Sequence, residues 1–190
     1  ITDVLSYFTL VAGIFPFWAA RFSARKHQGS EVTGLAANLL IGLPSSLVYL
    51  LAVPGIMIGL QISQAYLAIY FVVAAEIVEV YLLSSFEATL QVKRPQMLGF
   101  GFLIFELCKV FSGFLLIVQL KRGLLGVIVS VVLAYIFQIL FYLRSTFSEI
   151  HEKIRWDYIK VWLRASLLSF YSIVGQRLVA VVNIFLFVYG

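Results

Sequence analysis

The 190-residue chain is 62% hydrophobic and 12% charged, with a formal net charge of +5 and a mean hydropathy of +1.02. Soluble domains carry about a quarter of their residues as charges, so this composition excludes an ordinary water-soluble fold and makes the bilayer the solvent. The positive charge lies in short clusters between apolar runs, without a basic face or aromatic binding motif, which argues against nucleic acid as a partner.

The apolar residues fall in runs of about twenty, the length a helix needs to cross roughly 30 Å of hydrocarbon. No alternating barrel pattern is present. The expected fold class is an all-α integral membrane protein, a polytopic transmembrane helical bundle. Spans are predicted at about 4 to 20, 33 to 58, 65 to 90, 97 to 119, 123 to 143 and 158 to 190.

Pro16 lies in the first span and Pro44 and Pro54 in the second, where a missing amide donor and a ring clash favour kinks. The second span also places Gly34, Asn38, Gly42 and Ser45 at helical spacing. Such a small and polar seam lets another helix approach closely, by simple packing or between copies of the chain. Gly55 and Gly59 repeat the small-xxx-small spacing, a match common by chance in apolar sequence.

In the third span Glu76, Glu79, Leu83 and Glu87 share one helical stripe. Charges in hydrocarbon cost about 2.5 to 3.5 kcal/mol each on insertion scales and usually face a cavity or a partner. Glu76 and Glu79 are therefore candidates for ion coupling, with structural pairing to Arg177 or Lys109 as the alternative. In the fourth span Gly99, Phe102, Glu106, Lys109 and Gly113 share a face, and Glu106 with Lys109 has the spacing of an intrahelical ion pair. That pair is either mutual neutralisation in a packed bundle or part of a working site. Cys108, the only cysteine, falls in this run, which leaves no internal disulfide and predicts a buried inert thiol. The last span lines up Ser166, Ser169, Ile173, Gln176, Ala180 and Asn183 beside Arg177, the pattern of a wet interior face.

Orientation follows from alternate loops. Arg21, Arg25, Lys26, Lys93, Arg94, Arg144, Lys153 and Arg155 fall in one set, and Lys121 with Arg122 in the other. The richer set, with loops near 21–32, 91–96 and 144–157, is expected in the cytoplasm of a multi-pass cell-membrane protein. The polar stretch Ser145 to Asp157 divides the chain into a five-span bundle at 1–157 and the first helix of a second lobe at 158–190. Tyr158 to Arg164 mixes aromatic and basic residues, as a helix does in the headgroup layer. The opening at Ile1 without a secretory signal, and a lone helix running to Gly190, predict a truncated sequence.

No enzyme is expected. His27 and His151 lie in separate loops without ligands at metal spacing, and GxSxG, P-loop and HExxH motifs are missing from the sequence. The reading predicts no metal and no cofactor.

Three stretches carry a family likeness. Ala20 to Leu51 (ARFSARKHQGSEVTGLAANLLIGLPSSLVYLL) is similar to a helix end, a basic cytoplasmic loop with a small-residue turn, and the next helix. Phe86 to Arg144 is similar to a helix end, a short basic turn and two further helices. Trp156 to Gly190 is similar to the helix that opens a second lobe. In this order they resemble the multidrug/oligosaccharidyl-lipid/polysaccharide (MOP) exporter superfamily, and within it the polysaccharide-type flippases. The resemblance covers nearly the whole chain as helices two to seven of a twelve- or fourteen-helix protein, which implies the N-terminal lobe of a two-lobe transporter. Asn183 falls near where many members have Asp. The proline usual near the start of the seventh helix is missing, with Ala165 and Ser166 thereabouts, and Lys121 with Arg122 sits in a turn expected outside.

The resemblance implies a flippase for a polyprenyl or dolichyl phosphate-linked glycan, working in the lipid bilayer by alternating access, with a proton or sodium ion as coupling ion. Such a headgroup needs cations for phosphate and polar groups for sugar hydroxyls. Arg177 and Lys109 are the phosphate candidates, with Arg21 at the cytoplasmic mouth and Gln176 and Asn183 beside them. Glu76, Glu79 and Glu106 would tune the cavity or exchange ions. The alternatives are a related exporter of small amphiphilic cations, which would bind them on the acidic stripe, and a non-transporting helical scaffold.

Overall fold

The computed structural model describes residues 2–59, 61–166, 175 and 179. The described residues form helices and turns, with no strand. A short α1 (Thr2–Phe8) leads through turns at 9–13 into α2 (Ile14–Ala24), followed by α3 (Ser30–Gly59). A 3-10 turn at Gln64–Tyr66 opens α4 (Leu67–Lys93). Then come α5 (Gln96–Gly113), extended by a π-helical stretch at Phe114–Gln119, α6 (Gly123–Ser145) and the single turn α7 (Phe147–Ile150). A further helix, α8, runs over 156–166.

Ser30–Gly59, Gln64–Lys93, Gln96–Gln119 and Gly123–Ser145 are each long and apolar enough to cross a membrane. At about 1.5 Å per residue, the 30 residues of α3 reach about 45 Å, more than the hydrocarbon thickness. These helices match the second to fifth predicted spans within a few residues. The first predicted span is instead broken at 9–13, where turn bonds such as Ala12 N–H to the Thr9 carbonyl (3.0 Å) replace helical ones. Pro16 is not the cause. It is the third residue of α2, where the amide has no intrahelical partner and its loss costs little. Around Pro44 and Pro54, α3 keeps its helical course.

The middle of the bundle is α4, which packs against α2, α3 and α6, while α5 packs mainly on α6. Tyr49 and Val53 of α3 and Val73, Ile77 and Tyr81 of α4 form the dry centre, all fully buried. The Gly34 to Ser45 seam lies in this contact. Gly34 meets the Ala19 side chain and Gly42 meets the Tyr81 ring. Between them the Asn38 amide donates to the Tyr81 carbonyl at 2.7 Å and to the Ser85 hydroxyl at 3.0 Å. Gly34, Asn38 and Gly42 of the seam are thus engaged in packing within the chain. Among the described residues, a Cβ added at Gly55 or Gly59 would meet no other element within 4 Å.

The connections predicted to share one side meet at one end of the bundle. The Lys93 ammonium reaches Glu31 at 3.1 Å. Arg94 donates to the Ser145 carbonyl at 2.8 Å and pairs with Glu149 at 3.7 Å. Gly29 donates its amide to the Glu152 carboxylate, and the Arg155 amide donates to the Thr33 hydroxyl at 2.8 Å. Gly29 is required there twice over, by its φ of +74° and because any side chain would strike the Lys153 carbonyl. By helix polarity the turn holding Lys121 and Arg122 lies at the other end.

Across the boundary drawn at 157, α8 docks onto the bundle. Trp162 is fully buried against Phe15, Ala19 and Ala37, and the Trp18 indole donates to Ser166 at 2.8 Å. Reading the Tyr158 to Arg164 stretch as a headgroup anchor therefore fails at Trp162, whose ring is taken by α2 and α3. Trp156, just before that stretch, is 55% exposed.

Candidate functional site: a charged face on α4, α5 and α6

Sequence spacing puts Glu76, Glu79 and Glu87 on one stripe of α4, and the fold turns that stripe toward α6. Glu79 is 6% exposed, and its Oε2 has no hydrogen-bond partner among the described residues. Glu76 and Glu87 are half-buried. A buried carboxylate with an unfilled acceptor is costly to hold, because desolvation is not repaid by a bond. Tyr135 on α6 lies within electrostatic reach of Glu76, Glu79, Glu87 and Glu106, carboxylates spread along the helices, with Glu76 and Glu87 about 16 Å apart at 1.5 Å per residue.

On α5 the predicted ion pair forms. The Lys109 ammonium contacts both Glu106 oxygens, at 2.8 Å and 2.7 Å. It also lies 4.8 Å from the centre of the Phe105 ring, which stacks on Tyr135 at 4.7 Å. The aromatic pair thus ties Lys109 of α5 to α6. The face that carries Lys109 and Glu106 is not packed inside the bundle. Glu106, Phe102 and Gly99 are exposed, and α5 is the least buried of the four long helices. The side of α5 that does pack is marked by Gly101, against the Tyr142 ring, and by Gly113. A charged pair on an outward face of a spanning helix needs water or protein over it.

Arg21 lies apart from this face, exposed on α2 with its guanidinium 4.2 Å from the Phe17 ring centre. Arg177, Gln176 and Asn183 lie outside the described residues, so the predicted pairing of Arg177 with the α4 carboxylates has no geometry here. Cys108 is free and half-buried, more accessible than the buried thiol expected. Among the described residues no group of three or more His, Cys, Asp or Glu is placed to hold a metal ion.

Sequence reasoning passed over Glu31. It is 5% exposed, accepts from Ser23 at 2.5 Å and from Ser30 at 2.9 Å, and pairs with Lys93. The available signal was an acidic residue in the first turn of a span, where a carboxylate also complements the helix dipole. No protein-family model, curated protein or solved structure matches this chain.

Proposed function

We propose that this chain is the N-terminal lobe of a two-lobe MOP-type transporter of the cell membrane, a flippase for a polyprenyl or dolichyl phosphate-linked glycan. The carrying observation is the Glu106–Lys109 pair on a side of α5 that no described element covers, together with the buried Glu79 of α4, whose Oε2 has no hydrogen-bond partner among the described residues. In this reading the second lobe, opening at α8, faces that side across a water-filled cavity. Lys109 contacts the lipid phosphate together with Arg177, while Glu76 and Glu79 exchange a coupling ion, proton or sodium. The basic connections face the cytoplasm. No bond is made or broken, so the lobe acts by binding and alternating access rather than as an enzyme.

The test is translocation of a fluorescent short-chain polyprenyl diphosphate sugar in vesicles carrying the full-length protein. The expected result is transfer well above protein-free vesicles, reduced about tenfold or more by Lys109→Gln as a charge-assisted phosphate contact is lost. Transfer equal to that of protein-free vesicles, with folded protein present, overturns the proposal.

One observation favours a second reading. Four carboxylates, Glu76, Glu79, Glu87 and Glu106, lie within electrostatic reach of Tyr135, and among the described residues Lys109 pairs with Glu106 alone, a balance suited to an amphiphilic cation. Export of a lipophilic fluorescent cation, abolished by Glu79→Gln, would select that reading over glycan transfer.

A further inference from the structure

At the basic end of the bundle two recesses lie side by side. One is a groove of about 530 Å³ on the outer side of α6, walled by Leu140, Leu143 and Phe147 with Arg144 among them. The other is a cavity of about 380 Å³ beyond the helix ends, lined by Gln28, Gly29, His151, Glu152, Lys153 and Arg155. The wall between them is a ring pair. The rings of Phe147 in the groove and His151 in the cavity meet at a tilt of 51° with centres 4.3 Å apart, and His151 Nδ1 donates to the Phe147 carbonyl at 2.7 Å.

The two recesses differ in chemistry. The groove is apolar, with an arginine that has no ion-pair or hydrogen-bond partner among the described residues. In the cavity the acidic side chain is already used, since Glu152 accepts from the Gly29 amide. Nearby Glu149 is taken by Arg94 and Ser148, and Asp157 by Arg155 at 3.5 Å. Lys153 has no such partner among the described residues. His151, with Nδ1 committed as donor, presents Nε2. Exposed Ile154 and Trp156 follow directly in the chain, residues suited to the headgroup layer.

From this juxtaposition we infer that the α6–linker corner binds a phosphate-bearing anionic membrane lipid. Its acyl chain lies along Leu140, Leu143 and Phe147, and its phosphate lies between Arg144 and the Lys153–Arg155 side of the cavity. The occupant is a lipid rather than a free anion because the cationic groups continue into an apolar groove at the level where spanning helices end. Both recesses fall within the range of small-molecule sites, roughly 300 to 1,000 Å³. The site is separate from the α4–α6 charged face and does not depend on the transport reading.

Native mass spectrometry of the full-length protein, titrated with phosphatidylglycerol, phosphatidylcholine or inorganic phosphate, tests the inference. Phosphatidylglycerol should give a bound species at concentrations where phosphatidylcholine does not. The Arg144→Gln/Lys153→Gln variant should weaken it about tenfold or more, as charge-assisted contacts are removed. Phe147→Ala should weaken it while leaving the charges in place, and Lys121→Gln at the opposite end should leave it unchanged. If the double variant does not fold, Arg144→Gln alone, on the exposed last turn of α6, carries the same expectation. Equal binding of the two lipids, phosphatidylglycerol binding untouched by Arg144→Gln, or binding of inorganic phosphate that competes with the lipid overturns it.

Discussion

The Lys93 ammonium meets the Glu31 carboxylate at 3.1 Å, and the two halves of the pair live in different media. Glu31 is buried with two serine donors, whereas the Lys93 side chain is 40% exposed. The asymmetry gives unequal costs. Lys93→Ala removes one arm and leaves Glu31 with Ser23 and Ser30, a loss of about 1 kcal/mol. Glu31→Ala strands the buried Ser23 hydroxyl and frees the start of α3, while Ser30 keeps the His27 carbonyl as acceptor at 2.9 Å, a loss of about 2 to 3 kcal/mol. Thermal unfolding in detergent should therefore place Glu31→Ala well below Lys93→Ala. Equal melting temperatures would show that the carboxylate is not the organising group.

Gly42 and Gly55 lie on the same helix and should respond oppositely to an added methyl group. A Cβ at Gly42 would sit 2.7 Å from Tyr81 Cγ and 2.9 Å from Tyr81 Cβ, atoms too near the backbone to swing away. Gly42→Ala forces α3 from α4 and should cost about 1 to 3 kcal/mol. At Gly55 an added Cβ would meet no other element among the described residues within 4 Å, and alanine there should be neutral or stabilising by about 0.5 to 1 kcal/mol through helix propensity. The pair of melting temperatures checks both signs at once.

How far the sequence is readable depends on which physical signal each feature leaves. The long apolar helices and the Gly34 to Ser45 seam follow from hydrophobicity and spacing, which are local. The Glu106–Lys109 pair follows from helical periodicity alone and forms as expected. Other features depend on tertiary partners. The break at 9–13 leaves the hydropathy of its span unchanged, so a continuous run conceals it. Glu31 beside a basic loop reads as a solvated charge until Ser23 and Lys93 are brought to it. Trp162 carries the composition of a headgroup anchor, and only its neighbours Phe15 and Ala19 make it core.

The burial of Trp162 carries its own expectation. Truncating a fully buried aromatic removes its contacts and leaves a cavity, at about 3 to 5 kcal/mol. Because the Trp162 Nε1 has no hydrogen-bond partner among the described residues, Trp162→Phe should retain most of the packing. With Trp162→Ala, α8 should release from α2, and a protease should cut within 151–155 much faster than in the parent or the phenylalanine variant. Equal cleavage of all three would mean that the linker is held by Glu152 and Arg155 contacts alone.

The charged face of α5 distinguishes a water-filled cavity from lipid most directly. Glu106 and Leu107 are neighbours, both exposed, yet helical geometry turns them about 100° apart. If protein and water cover the Glu106 side, a cysteine there should react with a membrane-impermeant maleimide, since thiolate formation needs water. A cysteine at Leu107, facing hydrocarbon, should not. The comparison requires a Cys108→Ser background, because the native thiol is free and half-buried beside both positions. Labelling of Glu106→Cys at least about tenfold faster than Leu107→Cys would mark the face as wet, the condition that alternating access imposes on it. Equally slow labelling would place Glu106 and Lys109 in a dry contact, where the pair serves packing alone and the transport reading loses its main support.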